Sequence, residues 1–273
     1  AEEYDSFRRV TFRQEGILED DALAERLSEH RQVLCIVNSR KAAQSIFARL
    51  PQEASFHLST LMVPAQRQTL LDEIRRRLKA AGRCNREGKR APEESIVTVF
   101  ERAELPPMLF RTAIGATREA LMNSCDIGAR ETMQNYFDAL RSLSGETLDK
   151  SGVIKAFEKG INGCELPFRT VAENFHLIDQ NTRTVYVPFG GGAALIERLK
   201  AGECSKGLYR KLGRYAVSVY EPHFQKLYTA GALLTAREVP ALDEDSAILN
   251  DMSLYSEMTG LTLEPETGKA EFI

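Results

Sequence analysis

The stretch VLCIVNSRKAAQSIFARL, residues 33–50, carries most of the information about the fold. Its first part, residues 33–37, is a continuous apolar run with β-branched side chains, which predicts a buried strand of a parallel sheet. Asn38 or Ser39 can cap the helix that follows. Apolar residues then recur on one face of that helix: Ala42, Ala43, Ile46, Phe47 and Leu50. The stretch therefore predicts a buried strand that leads directly into a packed helix.

The same alternation of elements continues on both sides of this stretch. Residues 21–30 predict a short helix, and FHLSTLM, residues 56–62, predicts the next strand. Pro64 stands where the first turn of another helix tolerates proline, and SIVTVF, residues 95–100, predicts a further strand. Strands that alternate with helices in this way predict an α/β fold in which helices flank a parallel sheet.

The rest of the sequence divides into two further regions. Helical patterns joined by short loops occupy residues 106–163, whereas residues 164–273 mix short strands with helices. We therefore predict an α/β lobe over residues 1–105, a helical linker over 106–163, and a small α+β C-terminal domain over 164–273.

Composition and charge exclude several classes of protein. Of 273 residues, 43% are hydrophobic and 27% charged, which is typical of a globular chain, and the net charge of −3 is not that of a generic nucleic-acid binder. The five cysteines form no CxxC pair and the four histidines no pair at metal-ligand spacing, so we expect neither a disulfide framework nor a metal site. No apolar run reaches transmembrane length, and we expect a cytoplasmic protein without membrane attachment.

One segment departs from this near-neutral balance. Between residues 74 and 90, eight basic residues stand against one acidic residue. Within it, Arg83 and Arg86 are three residues apart, beside Gly82 and Gly88. Two guanidinium groups at this spacing can hold one phosphate, and an arginine can stabilise a phosphoryl group in transfer. A solvated basic turn is the alternative, and the spacing alone leaves both interpretations open.

The segment AAGRCNREG, residues 80–88, resembles the final arginine motif of superfamily 2 helicases. Together with VLCIVNSRKAAQSIFARL and FHLSTLMVPAQRQTLLDEIRRRLK, it resembles the CRISPR-associated helicase–nuclease of type I systems, the third of the numbered Cas proteins. FRTVAENFHLIDQNTRTVYVP and LGRYAVSVYEPHFQKLYTAGAL are similar to the C-terminal region of that family, in its compact I-C branch. The resemblance covers most of this chain but only the C-terminal part of a full-length member.

The resemblance implies a role in ATP hydrolysis for the arginine motif. The α/β lobe would be the second RecA-like lobe of a motor, with a parallel sheet flanked by helices, and residues 164–273 an accessory domain. Gly82, Arg83 and Arg86 would reach the γ-phosphate of ATP, with Arg86 as the favoured arginine finger. ATP and its magnesium ion would be bound mainly by a first lobe that this sequence lacks, and the nuclease metal by another absent domain.

The resemblance also implies contacts with single-stranded DNA. Asn38, Ser39 and Arg40 would contact a backbone phosphate, and a helix N-terminus beside an arginine attracts an anion on general grounds. A plain capping turn is the alternative. Further residues implied in binding the DNA backbone are His57, Ser59, Thr60 and Arg67. For these, the residues themselves leave open local caps and a solvated helix face.

Two features depart from the family's pattern. A strand and a threonine- and aspartate-bearing motif are missing before the arginine motif, and Lys79 stands where that motif has glutamine. A parallel sheet does not easily lose an interior strand, so we expect residues to be omitted at the 79/80 junction; a genuine deletion would make the lobe defective. The sequence also lacks a G-x-x-x-x-G-K-[ST] loop, a D-E-x-H motif and a His-Asp nuclease constellation, so this segment alone should neither hydrolyse ATP nor cut DNA.

The resemblance as a whole implies the C-terminal part of an ATP-dependent single-stranded DNA translocase, a helicase–nuclease acting in antiviral type I CRISPR interference. Its expected partners are single-stranded DNA, the first RecA-like lobe and nuclease domain of the same protein, and a Cascade-like RNA-guided surveillance complex, which opens the duplex by base pairing. The alternatives are an adaptor module that binds nucleic acid or a protein complex without motor activity, and an RNA helicase lobe.

Overall fold

The described part of the chain is a mixed α/β protein. The structure is a computed structural model and describes residues 9–77, 91–122, 124, 126–145, 149, 151–163, 165–174 and 182–264. By their contacts, the residues fall into two units: Ala1–Leu23 with Ala80–Asp179, called the first unit, and Ala24–Lys79 with Gln180–Ile273, called the second unit. The linear division into lobe, linker and C-terminal domain follows chain order instead and stays a prediction.

The first unit contains a two-stranded parallel sheet of β1 (Thr11–Leu18) and β2 (Ile96–Arg102). After β2 come four helices: α4 (Met108–Leu121), α5 (Arg130–Ser144), α6 (Val153–Asn162) and α7 (Phe168–Asn174). Arg102 at the end of β2 donates two hydrogen bonds to the Asp20 carboxylate, at 2.8 and 2.9 Å. The two side chains are only 11% and 15% exposed, so the ion pair is well shielded from water.

Four helices begin at residues that are typical of helix starts and can be recognised in the sequence. Helix α1 (Asp20–Ser28) starts with two acidic residues, α2 (Arg40–Phe47) is capped by Ser39, and α3 (Pro64–Arg77) starts at a proline. Helix α9 (Lys206–Leu212) is capped by Ser205. Each feature satisfies or complements the free N–H groups at a helix start.

The second unit is built around a four-stranded mixed sheet in the order β4-β3-β6-β5. Its strands are β3 (Thr182–Tyr186), β4 (Ala216–Tyr220), β5 (Leu233–Leu234) and β6 (Ser246–Leu249). Strand β3 pairs antiparallel with β4 and parallel with β6, which in turn pairs antiparallel with β5. Because side chains alternate along a strand, successive residues of β3 face opposite sides of this sheet.

Both faces of this sheet are covered. Val185 and Val187 lie in one apolar core together with Val217, Val219 and side chains of α10 (Glu221–Thr229). Tyr186 lies in a second core, lined by α8 (Gly192–Lys200) and by α9. The sheet is therefore the middle layer of a packed structure, as expected for an element that has two apolar faces.

A short hairpin of β7 (Tyr255–Ser256) and β8 (Gly260–Leu261) fixes the segment that precedes α3. The Leu261 amide donates to the Leu61 carbonyl at 2.9 Å, and the Val63 amide donates to the Tyr255 hydroxyl at 2.9 Å. Gly260 has φ +80, and a Cβ there would lie 2.4 Å from the Leu61 carbonyl oxygen. This close approach requires glycine.

The predicted helices and one predicted strand of the α/β lobe are confirmed. Helices α1, α2 and α3 occupy the expected positions, and β2 covers the predicted strand at residues 95–100. Helices also fill the region predicted to be helical after residue 106, and the C-terminal region mixes short strands with helices as expected.

Two strand predictions are wrong. Residues 33–37 and 56–62 form no ladder, so the described residues show an α/β structure but no RecA-like sheet. Val33, Leu34 and Ile36 are 51%, 76% and 78% exposed. In the second segment, Leu61 and Met62 are buried instead by the β7–β8 hairpin and the core beneath it. A strand needs neighbours for its backbone groups, and the apolar composition of a run cannot supply them.

The described residues contain no candidate for either of two features, a membrane-spanning helix or a metal site. Across the described ranges, no helix is both long and apolar enough to cross a membrane. Within the same ranges, no group of three or more histidine, cysteine or acidic side chains is placed to hold a metal ion.

Candidate nucleic-acid interface

The start of helix α2 is a well-formed cap. Ser39 is extended, with φ −139 and ψ 149, and its hydroxyl accepts a hydrogen bond from the Ala42 amide at 3.0 Å. The sequence left Asn38 and Ser39 as alternatives, and the structure selects Ser39. The cap satisfies one N–H group, and the positive end of the helix dipole remains beside Arg40.

Arg40 is held in place by the sheet of the second unit. Its Nη1 donates to the Ser218 carbonyl at 3.0 Å, and its Cζ lies 5.0 Å from the centre of the Tyr220 ring. Burial lowers the pKa of Arg40, and its interaction with Tyr220 opposes this shift. The hydrogen bond to Ser218 uses one of the five N–H groups of the guanidinium, so an oriented cation is presented at the start of α2.

Helix α10 brings two more basic side chains to the same place. His223 and Lys226 are three residues apart on this helix and so lie on one face of it. The Nδ1 of His223 is shielded from solvent and has no hydrogen-bond partner among the described residues. Burial lowers the pKa of His223, as do the positive charges of Arg40, Lys226 and Lys41, whereas Glu264 raises it. The charges that act on the imidazole are therefore mainly positive.

Glu264 is the carboxylate that interacts with this group. One of its oxygens lies 3.2 Å from the Lys41 Nζ, and the other lies 3.7 Å from the Lys226 Nζ. The hydrogen bond from Lys41 is the largest cause of a lowered pKa for Glu264. We call Arg40, Lys41, His223 and Lys226 the Arg40 cluster. The cluster brings basic side chains together, and a carboxylate of the chain itself contacts both of its lysines.

His57 is a buried core histidine. Only 4% of it is exposed, and its ring packs against Phe47 with the centroids 5.5 Å apart. Burial lowers its pKa, against a smaller opposing effect of a hydrogen bond with the Ala43 backbone. Its Nε2 is buried without a partner in the described structure. In this structure the ring is therefore closed off from solvent and stabilises the packing of α2.

The other residues implied in DNA binding have different environments. The Ser59 hydroxyl accepts from the Leu61 amide at 3.2 Å, which is the local cap that the sequence left open. Thr60 is exposed, and Arg67 is half-buried with its Nε shielded and without a partner among the described residues. Of these three residues, Thr60 thus offers the most accessible side chain.

The residues predicted to face ATP lie outside the described part of the chain. Gly82, Arg83 and Arg86 belong to the segment 78–90, which the structure does not describe. Their assignment stays a prediction.

Sequence reasoning missed the partners of Arg40. Tyr220, His223, Lys226 and Glu264 all come from the C-terminal part of the chain, and the Arg40–Ser218 contact joins residues 178 positions apart. The spacing of His223 and Lys226 indicates that both side chains lie on one face of a helix, but nothing in the sequence indicates that this helix lies beside α2.

Comparison with known proteins identifies no relative of this chain among protein families or curated proteins. No protein-family profile matches the chain, and a search of curated proteins gives no match. The functional argument therefore rests on the geometry of the described residues and on the resemblance that the sequence motifs carry.

Proposed function

We propose that this chain is the second motor lobe and C-terminal region of an ATP-dependent single-stranded DNA translocase, a helicase–nuclease of type I CRISPR systems. The observation that carries the proposal is the capped start of α2. Ser39 closes the cap and Arg40 stands next to it as an oriented cation, in the motif to which the resemblance assigns a DNA phosphate. The RecA-like arrangement of the lobe is the finer part of the proposal, and it rests on the resemblance of the motifs and not on the strand pairing of the described residues.

The chemistry of this place suits a DNA backbone. A phosphate is recognised by N–H groups at a positive helix end and by a guanidinium, with no need to read a base. Lys41 and Lys226 add charge beside it. Binding of this kind is directed at the backbone, weakens steeply with salt and is independent of sequence, which a translocase that passes along any strand requires.

The ATP-dependent part of the proposal assigns a separate role to the arginine motif. ATP bound with magnesium in a first lobe would supply the free energy of translocation, and Arg86, with Arg83 and Gly82 beside it, would stabilise the negative charge of the transferred phosphoryl group. The chain's own contribution is thus divided between a DNA contact at α2 and an arginine finger in the segment 78–90.

Two substitutions in the full-length protein separate these roles. Arg86→Ala should reduce single-strand-stimulated ATP hydrolysis by about 10³-fold or more and leave the DNA affinity unchanged. Arg40→Ala should weaken DNA binding and raise the DNA concentration needed for half-maximal stimulation. Arg26→Ala, on helix α1, serves as a matched control for loss of an arginine. Unchanged ATP hydrolysis in the Arg86 variant would contradict the motor assignment.

One observation favours a second candidate, a nucleic-acid-binding adaptor without motor activity. The Arg40 cluster is made from residues of the second unit alone and needs no first lobe. An adaptor would bind a single strand in the absence of any ATP hydrolysis by the full-length protein.

A third possibility is an RNA helicase lobe, and gel-shift titrations with DNA and RNA strands of one sequence test it. Equal affinity for both strands would favour an RNA helicase lobe or a general adaptor over a DNA translocase.

A further inference from the structure

The two lysines of the Arg40 cluster already bind an anion. Lys41 lies on α2 and Lys226 on α10, and the Glu264 carboxylate contacts both, at 3.2 and 3.7 Å. Glu264 comes from the segment after β8, so these contacts join three separate parts of the chain. A carboxylate held between two ammonium groups occupies the kind of position that a phosphate oxygen takes in a complex with a polyanion.

We infer that Lys41 and Lys226 form a phosphate subsite and that Glu264 is an internal competitor, which a nucleic-acid phosphate displaces on binding. This inference rests on the proposed function, since the ligand is the backbone of the same single strand that contacts Arg40. The inference extends the site at the start of α2 by two binding residues, Lys41 and Lys226. It also adds one residue, Glu264, that lowers the affinity of this site for the strand.

The exposure of these side chains makes displacement easy. Lys41, Lys226 and Glu264 are 66%, 55% and 55% exposed. Ion pairs between exposed side chains contribute little to stability, because water competes for both charges and the long side chains lose freedom. A DNA strand presents several phosphates and releases counterions when it binds. Its binding therefore gains more free energy than the contact of the single Glu264 carboxylate with the two lysines.

The balance of charge favours an incoming anion. The described groups that act electrostatically on His223 are the cations Arg40, Lys226 and Lys41 and one carboxylate, Glu264. When Glu264 is displaced, three permanent cations remain around the imidazole. The guanidinium is fixed by Ser218 and Tyr220, so the cluster combines one oriented cation with two exposed lysines on flexible four-carbon stems.

The test is a titration of the full chain with an oligothymidylate strand at several salt concentrations. Glu264→Gln should bind about twofold to fivefold more tightly than the unaltered protein, and its affinity should fall more steeply with salt, because the freed lysines then release counterions on binding. Lys226→Gln should bind more weakly, and in the double variant the gain from Glu264→Gln should shrink.

Glu197→Gln is the matched control. Glu197 pairs with Lys200 at 3.0 Å in an exposed contact, so the substitution makes the same change in net charge away from the cluster. Its affinity should equal that of the unaltered protein, and the melting temperatures of both variants should be unchanged. Where the strand binds the unaltered protein, equal gains in Glu264→Gln and Glu197→Gln, or no gain in Glu264→Gln, would overturn the inference.

A second probe separates this inference from the proposed function. Inorganic tripolyphosphate presents the same phosphate chemistry without a nucleic acid, and its binding can be followed through the NMR signal of the Lys226 ammonium group. A gain for Glu264→Gln with tripolyphosphate but no binding of the DNA strand would support the subsite and contradict the DNA function. No gain with either probe would refute the subsite whatever the strand does.

Discussion

Two apolar runs of the second unit have similar composition, but one is buried and the other is exposed. In the run Val185–Val187, the three side chains are 0%, 9% and 0% exposed, whereas Val33, Leu34 and Ile36 are 51%, 76% and 78% exposed. The first run begins in β3, which has hydrogen-bonded neighbours on both sides, β4 and β6. The second has no ladder partner in the described structure. The difference shows that β-forming residues become a strand only where neighbouring strands take up their backbone groups.

The largest expected effect comes from truncating a leucine in a buried strand, compared with truncating a leucine in the exposed run. Leu249→Ala, in β6 where the leucine is 1% exposed, should lower the free energy of unfolding by about 2–5 kcal/mol, because it leaves a cavity in a packed core. Leu34→Ala makes the same chemical change at a side chain that is 76% exposed and should alter stability by less than about 0.5 kcal/mol. Urea unfolding measures both. Equal losses would mean that residues 33–37 are buried in solution.

A second test concerns the β7–β8 hairpin, which buries Leu61 in the other segment predicted to be a strand, residues 56–62. Gly260→Ala should lower the free energy of unfolding by about 1–3 kcal/mol, because φ is +80 and the added Cβ would meet the Leu61 carbonyl. Gly207→Ala is the control, since it lies in α9 where a Cβ meets open space, and it should be neutral or slightly stabilising. Thermal unfolding distinguishes the two. A tolerated Gly260→Ala would show that the hairpin does not approach Leu61.

The smallest expected effect is a pH dependence of stability. Burial lowers the pKa values of His57 and His223 in the folded protein, so the unfolded chain binds more protons in the acidic range. Stability should therefore fall as the pH drops from about 7 to about 5, through the ordinary histidine pKa. His57→Phe should flatten this slope, and His30→Phe, at an exposed site, should not. A slope that His57→Phe leaves unchanged would exclude His57 as its source.

The sequence predicted local structure well because local signals determine it. The proline at the start of α3, the cap of α2 and the spacing of apolar residues in α1 are all read within one or two helical turns. The apolar run at 33–37 carried an equally strong local signal, but its fate depends on strands that lie far along the chain. No pattern within 33–50 indicates whether such neighbours are present.

The candidate site was predictable in its first half alone. The motif of Asn38, Ser39 and Arg40 drew attention to the start of α2, and the structure places a cap and an oriented cation there. The second half, Lys226 and Glu264, could not be predicted because it is assembled by the packing of α10 and the segment after β8 against α2. For His57, the resemblance implied a contact with the DNA backbone, whereas burial at 4% exposure places the side chain in the core of this structure.

The central claim is that the start of α2 and helix α10 bind one DNA backbone together. Hydrogen exchange of the full-length protein, with and without an oligothymidylate strand, measures this directly. We predict that the strand slows exchange at the amides of residues 40–43 and in Glu221–Thr229, and that Arg40→Ala abolishes both effects. Protection confined to other parts of the chain, or protection that survives Arg40→Ala unchanged, would contradict the account.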